Sequence, residues 1–254
     1  MFEALLSKAL ILKRIVEALK ELVTDVNFEC TPAGISLQAM DASHVALVTF
    51  ILDANGFDEF RCDRAQTLGL SITNLGKILK CAENDDRVQI RAEDNASIIT
   101  FIFEGKDDDK VSEFNLNLLN LDSEHLGIPE QEYPCVITLP SAEFTRICRD
   151  MSQMTETLAI EVTKQSVHFK VGGDIGEGKI SLKPKNDGKN KVHLEVNENV
   201  SCSYALRYLN LFNKGASLGD EAVLMIATDL PLVLIFNFEL GVLKYYLAPK
   251  VSED

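Results

Sequence analysis

The sequence has no tryptophan and only seven prolines and five tyrosines in 254 residues. Scarce proline argues against a low-complexity or polyproline chain, and 46% apolar content can fill a substantial core. No apolar run approaches the roughly 20 residues a membrane-spanning helix needs. The start, MFEALLSKALILKRIVEALKELV, is apolar but broken by Lys8, Lys13, Arg14, Glu17, Lys20 and Glu21. That is not a signal-peptide layout, so no secretion is expected and the sequons at Asn95 and Asn199 carry no weight. There is no CxxC motif. The cysteines at 30, 62, 81, 135, 148 and 202 sit mostly among apolar neighbours and read as buried free thiols of a reducing compartment. His44, His125, His168 and His193 have no metal-ligand spacing. No metal or other cofactor is expected.

Positive charge is short as well. Lys and Arg number 25 against 39 Asp and Glu, a net charge of −14. Spread evenly, that charge would exclude nucleic-acid binding, because a surface that holds phosphates must be positive.

What is present is alternation. Most of the chain reads as short antiparallel strands: 25–30, 35–40, 44–53, 57–62, 66–71, 87–92, 97–104 and 111–118, then 134–139, 157–163, 166–171, 175–182, 192–196, 222–228, 231–238 and 242–247. TPAG at 31–34, DANG at 53–56 and KDDD at 106–109 mark turns. Four stretches read as helices. Residues 11–23 place Ile11, Ile15, Ala18, Leu19 and Leu22 on one face, and 72–80 place Ile72, Leu75, Ile78 and Leu79. Residues 142–151 carry Phe144, Ile147 and Cys148 behind Ser141 as N-cap. Residues 204–214 carry Tyr204, Tyr208, Leu211 and Phe212 behind Ser203.

The order repeats. Residues 1–117 give helix, strands, helix, strands, and residues 134–254 give the same series. This predicts an α+β protein of two similar domains, each packing two helices on antiparallel sheet, joined by an acidic connector at 118–133. The connector is odd. NLDSEHLGIPEQEY is too acidic and interrupted for a core strand, yet Leu126 and Ile128 are too apolar for a plain tether.

Charge is segregated between helices and the rest. The helices supply Lys13, Arg14, Lys20, Lys77, Lys80, Arg146, Arg149, Arg207 and Lys214 against Glu17, Glu21, Glu143 and Asp150. The 43 helical residues therefore carry +5 and the other 211 carry −19. Lys13 and Lys20, Lys77 and Lys80, Arg146 and Arg149, and Arg207 and Lys214 are three or seven apart, hence on one side of each helix. Solvated helix faces often hold lysines, but four of four in an acidic chain point to one collective surface for a polyanion. No aromatics interleave with these charges, so contacts to duplex phosphates fit better than base stacking.

Longer motifs now fall into place. LQAMDASHVALV at 37–48, FRCDR at 60–64, KILKCA at 77–82, RAEDNA at 91–96, LDSEHLGIPEQEY at 121–133, FTRICRD at 144–150, ALRYLN at 205–210 and LKYYLAPK at 243–250 run in one order along the whole chain. The chain resembles the proliferating cell nuclear antigen family, the eukaryotic sliding clamps of DNA replication. The resemblance implies the DNA clamp fold in a closed homotrimeric ring, with the nine basic helix residues facing duplex DNA and sheets outside. It implies a head-to-tail interface between edge strands matching Lys110–Asn117, with Lys110 and Phe114, and Ile175–Lys183, with Ile175, Gly178 and Ile180. It implies an outer pocket for partner peptides at Met40, His44, Val45, Leu47, Leu126, Ile128, Pro231, Tyr246, Ala248, Pro249 and Lys250. Such peptides insert an aliphatic and two aromatic residues, and main-chain groups near 248–250 hold their backbone. Lys164, in a turn, matches a lysine that accepts ubiquitin or a related modifier after replication stress.

The implied function is a non-enzymatic clamp that encircles DNA without sequence specificity and tethers polymerases in the nucleus. Its partners would be replicative and translesion polymerases, the clamp loader, flap endonuclease and DNA ligase. The sequence departs from the family at Asn120, at Ser217, in a short hairpin at Glu239–Val242 and in the brief tail VSED. Two other readings stay open: a subunit of a heterotrimeric DNA-damage checkpoint clamp, and a scaffold that does not encircle DNA.

An enzyme is not indicated. GGDIGEG at 172–178 lies between two strands, whereas a phosphate-binding loop needs a following helix. Asp41, Ser43 and His44 are too close in sequence to be placed independently around a substrate. The acidic runs EDN, DDD and ENDD fit turns.

Overall fold

The computed structural model describes residues 1–106, 110–122, 126–128, 131–185 and 191–250. Residues 107–109 of the KDDD turn, 123–125 and 129–130 of the acidic segment, and the tail 251–254 lie outside the described residues, and His125 with them. The chain divides into two compact units. One comprises Met1–Ala42, Val48–Leu126 and Phe238–Leu243; the other comprises Ser43–Leu47, Gly127–Asn237 and Lys244–Asp254.

The first half of the chain runs β1 (Phe2–Leu6), α1 (Ala9–Leu19), β2 (Asp25–Thr31), β3 (Gly34–Met40), β4 (Ala46–Asp53), β5 (Glu59–Cys62), β6 (Gln66–Ser71), α2 (Ile72–Leu79), β7 (Arg87–Ala92), β8 (Ile98–Glu104) and β9 (Val111–Asn117). The second runs β10 (Cys135–Pro140), α3 (Ser141–Met151), β11 (Thr157–Thr163), β12 (Ser166–Gly173), β13 (Gly176–Leu182), β14 (His193–Val196), β15 (Val200–Ala205), α4 (Leu206–Phe212), β16 (Glu221–Ile226), β17 (Leu232–Phe238) and β18 (Gly241–Leu247). The two series match element for element, and so do the sheets. The first half orders its strands β5-β1-β7-β8-β9 and β4-β3-β2-β6; the second orders them β14-β10-β16-β17-β18 and β13-β12-β11-β15. The expected duplication of an α+β unit is present, with every registered strand pair antiparallel.

Local chemistry explains the elements. In α1 the buried stripe is Ala9, Leu12, Ile15, Val16 and Leu19, a 3.6-residue period facing the sheets. Its first amides have no side-chain cap; Ala9 and Leu10 donate instead to the Asp86 and Asn84 carbonyls at 2.8 and 3.1 Å. In α2, Ser71 caps by accepting from the Asn74 amide at 3.4 Å. The cores are aromatic. Phe28 meets Phe50 edge-on at 5.7 Å in the first unit, and Phe212 stacks on Tyr245 at 4.5 Å in the second.

Several sequence expectations need correction. Strands β1 and β15 were not anticipated. β15 buries Val200, Cys202 and Tyr204 in strict alternation, but its serines and cysteine hid the apolar signal. Helix α1 is Ala9–Leu19, not 11–23, because β1 and the 84–86 loop fix its start; Ile11 is only half-buried. Helix α4 starts at Leu206, so Tyr204 is a strand residue and Ser203 caps nothing: it pairs with Ala159 in the sheet. Leu211 is half-exposed. Ser141 is the first residue of α3, not its cap, and its buried hydroxyl donates to the Gly219 carbonyl at 2.6 Å.

Candidate functional site

The basic residues occupy four kinds of position. Arg14, Lys77, Arg146, Arg149 and Arg207 are exposed within α1, α2, α3 and α4. Lys20 and Lys80 are the C-cap residues of α1 and α2. Lys214 lies in the 3₁₀ turn Asn213–Ser217 that continues α4. A cation at a helix C-terminus is favoured by the helix dipole itself, so these three have a structural reason to be basic. Lys13 is half-buried and ties α1 to the loop between α2 and β7, donating to the Ala82 carbonyl at 2.6 Å and Asn84 Oδ1 at 3.0 Å.

Three of the nine cations are partly neutralised on their own helices. Lys20 pairs with Glu17 at 2.7 Å, Arg146 with Glu143 at 2.7 Å and Arg149 with Asp150 at 3.0 Å. The bonds to Glu17 and Glu143 hold the Lys20 and Arg146 pKa values above their ordinary range. Exposed pairs of this kind are weak, so a phosphate can displace the carboxylate. Among the described residues no carboxylate pairs with Arg14, Lys77, Lys80, Arg207 or Lys214. Arg207 lies over the Tyr208 ring at 4.8 Å, which braces the guanidinium without cancelling its charge. Within the first unit α1 packs on α2, and within the second α3 packs on α4. Each unit thus presents a helix pair with uncompensated cations.

The start of the connector is an added layer on the first unit. Leu118 donates to the Ser97 carbonyl at 2.9 Å, and Leu119 donates to Gly69 of β6 at 2.8 Å. Asn27 of β2 reaches the Leu121 carbonyl at 3.4 Å, and Gln38 of β3 holds Leu126. Hydrogen bonds therefore fasten the segment across β6, β2 and β3 in turn. Leu126 and Ile128 remain 40% and 39% exposed.

The other residues expected to form the partner pocket are described unit by unit. Met40 of the first unit is half-buried. In the second unit His44, Val45, Pro231, Ala248 and Lys250 are exposed, and Leu47, Tyr246 and Pro249 half-buried. His44 has φ of 54°, a left-handed conformation that costs a side-chain-bearing residue energy. The C-terminal segment is anchored: Ala248 donates to the Val45 carbonyl at 3.2 Å and Lys250 to Ser203 at 2.7 Å. Proline has no amide, so none of the three backbone nitrogens at 248–250 is left to donate outward. This stretch therefore keeps its backbone acceptors but no free backbone donor.

Among the sheet residues, β9 and β13 are edge strands. Val111 is 64% exposed and Ile175 75% exposed. Ile175 sits in the two-residue turn between Gly173 and Gly176, so GGDIGEG is a hairpin. Phe114 leans on Phe103 at 5.7 Å and Ile180 is half-buried. Gly178 is dictated by packing: a Cβ there would lie 3.0 Å from both Met154 Sδ and Val171 Cγ2. Lys110 and Lys164 are exposed. Lys164 is held out by a tight turn in which the Thr163 hydroxyl accepts from the Gln165 and Ser166 amides at 3.3 and 3.1 Å. Missed by the sequence reading were Gln38 and Asn27, whose role depends on a segment about 90 residues away.

Comparison with known families accounts for nearly the whole chain. Residues 1–125 match the family described as proliferating cell nuclear antigen, N-terminal domain. Residues 127–250 match its C-terminal domain.

Proposed function

The chain belongs to the proliferating cell nuclear antigen family, and from that membership we propose how its surfaces divide the work. Its function is the family's: a non-enzymatic sliding clamp, the processivity factor of DNA replication and repair, which binds DNA and DNA polymerases.

The working form is a closed homotrimeric ring around duplex DNA. The observation that carries this reading is the strand repeat. Strand β18 runs beside β4, with Gly241 against Ile51 in the first unit and Ala248 bonded to Val45 in the second. By position in the repeat, β9 is the counterpart of β18 and β13 the counterpart of β4. Both counterparts lie on edges, with unpaired backbone groups and exposed Val111 and Ile175. Repeating the β18–β4 pairing between copies joins β9 of one to β13 of the next. Such a head-to-tail contact closes when the rotation divides a full turn.

Residues 1–117 and 134–254 are the two clamp domains, with 118–133 the connector. Arg14, Lys77, Lys80, Arg207 and Lys214, helped by Lys13, Lys20, Arg146 and Arg149, face phosphates. Distributed phosphate contacts hold without choosing a sequence, which lets a ring slide. Met40, His44, Val45, Leu47, Leu126, Ile128, Pro231, Tyr246, Ala248, Pro249 and Lys250 take partner peptides. These come from replicative and translesion polymerases, the clamp loader, flap endonuclease and DNA ligase, in the nucleus. Lys164 accepts a ubiquitin-type modifier.

Sedimentation and loading test the ring. The protein alone should sediment as a trimer of about 85 kDa, three times its 28.2 kDa chain. After loader-driven loading it should stay on nicked circular DNA and leave when the circle is cut. A monomer, or a mass reached only with other subunits, favours the checkpoint-clamp reading. Failure to stay linked favours the scaffold.

A further inference from the structure

Among the described residues, Leu126 makes both of its backbone hydrogen bonds to one side chain. The Gln38 amide nitrogen donates to the Leu126 carbonyl at 2.9 Å, and the Gln38 amide oxygen accepts from the Leu126 N–H at 2.9 Å. The two groups lie 88 residues apart in sequence. A carboxamide is the one common side-chain group that offers a donor and an acceptor in one plane. It pairs with a peptide unit as a neighbouring strand would. Among the described residues, the preceding tie to the sheet joins Asn27 to the Leu121 carbonyl at 3.4 Å. Gly127 has open space where a Cβ would stand. Among the described residues, Gln38 makes the hydrogen bonds that hold Leu126, while the Leu126 and Ile128 side chains stay about 40% exposed.

We infer that Gln38 is the positioning residue of the partner-peptide site: its paired hydrogen bonds present Leu126 in a fixed conformation before a partner arrives. The inference rests on the reading that these residues receive peptides. Ordering a loop on binding costs affinity, and a pre-set loop avoids that cost. On this inference Gln38 acts through Leu126 rather than by touching the peptide.

The test measures a fluorescein-labelled synthetic peptide with one aliphatic and two aromatic anchors, by anisotropy, against wild type and four variants. Gln38→Ala removes both bonds. Gln38→Met keeps the length and the fold but removes both polar groups. Gln38→Glu keeps one bond and sets a carboxylate against the Leu126 carbonyl. Each should weaken the peptide about tenfold, the scale of two neutral hydrogen bonds. Hydrogen exchange at the Leu126 amide should quicken in the Ala and Met variants without peptide. Trimer mass and thermal midpoint should change little.

Leu126→Ala is the control for the underlying reading. If it binds the peptide like wild type, the peptide site is misassigned. If it weakens binding while Gln38→Met does not, the positioning inference alone fails. If Gln38→Met weakens binding with Leu126 exchange unchanged, Gln38 touches the peptide directly and positioning is again wrong.

Discussion

Gln38 and Leu126 hold each other through two hydrogen bonds of 2.9 Å, one in each direction. This pairing converts an acidic linker into part of a sheet-borne surface. It also frees the Leu126 side chain from a structural duty, since the backbone does the fastening. The apolar side chain can then stay outside, available to another molecule.

Truncating that exposed pair separates binding from stability. Leu126→Ala with Ile128→Ala should weaken a partner peptide by at least about tenfold, as centrally placed aliphatic contacts do. The thermal midpoint should barely move, because both side chains are already 40% and 39% exposed. Peptide affinity equal to wild type would remove these residues from the site.

Charge reversal should be graded by pairing. Arg14, Lys77, Lys80 and Arg207 have no carboxylate partner among the described residues, while Lys20, Arg146 and Arg149 do. Changing the first four to Glu should leave a folded trimer that binds peptide but fails to support long products on primed circles with a loader. Reversing Lys20, Arg146 and Arg149 should do less, since each cation already shares its charge. Equal product lengths for the four-site variant and wild type would show that the helices do not face DNA.

Thiol chemistry should single out one cysteine. Cys81 is exposed and the other five are buried. Burial pushes the Cys30 and Cys148 thiols up to about 12 and Cys135 up to about 11. At pH 8 these have almost no thiolate to react. A native titration with a thiol reagent should consume one equivalent per chain, and six in denaturant. More than one fast equivalent would contradict the packing of these cores.

Gly69 is the docking point of the connector. A Cβ there would stand 2.1 Å from the Leu119 carbonyl, so Gly69→Ala must push the segment off β6. The Leu119 N–H to Gly69 carbonyl bond is lost with it. The cost should be about 1–3 kcal/mol, the scale of a buried backbone hydrogen bond left unmade. Urea unfolding would measure it, with a peptide titration to show whether Leu126 is disturbed too.

His168 should report pH. Its ring bonds to the Ser166 and Ser181 hydroxyls at 3.0 and 2.8 Å. Desolvation first, then Lys179 and Lys170, hold its pKa below 6.5, while Glu161 opposes them. The unfolded chain therefore takes up its proton first as pH falls. The stabilising effect of a neutral His168 is complete above pH about 6.5 and fades as pH falls through the folded pKa. Against His168→Gln, the wild type should lose relative stability on acidification. The effect should be small, because the ring is half-exposed.

Most element periods, the helix–strand series written twice, and the concentration of lysine and arginine on the helices are legible in the chain alone. Those features are local: a period of two or 3.6 residues is visible in one window, and longer motifs carried the family likeness. Even locally, β15 escaped, because Ser201, Cys202 and Ser203 mask an alternation that only its pairing with β11 makes evident. Tertiary structure decided the rest. Which strands are edges depends on partners far along the chain, so β9 and β13 could not be picked out by composition. Which cations are already paired depends on rotamers, as at Arg146 and Glu143. And Gln38, an unremarkable polar residue in an alternating strand, gains its role only when folding brings it to Leu126. A hydrogen bond forms between atoms within about 3 Å, whatever the distance between them in sequence.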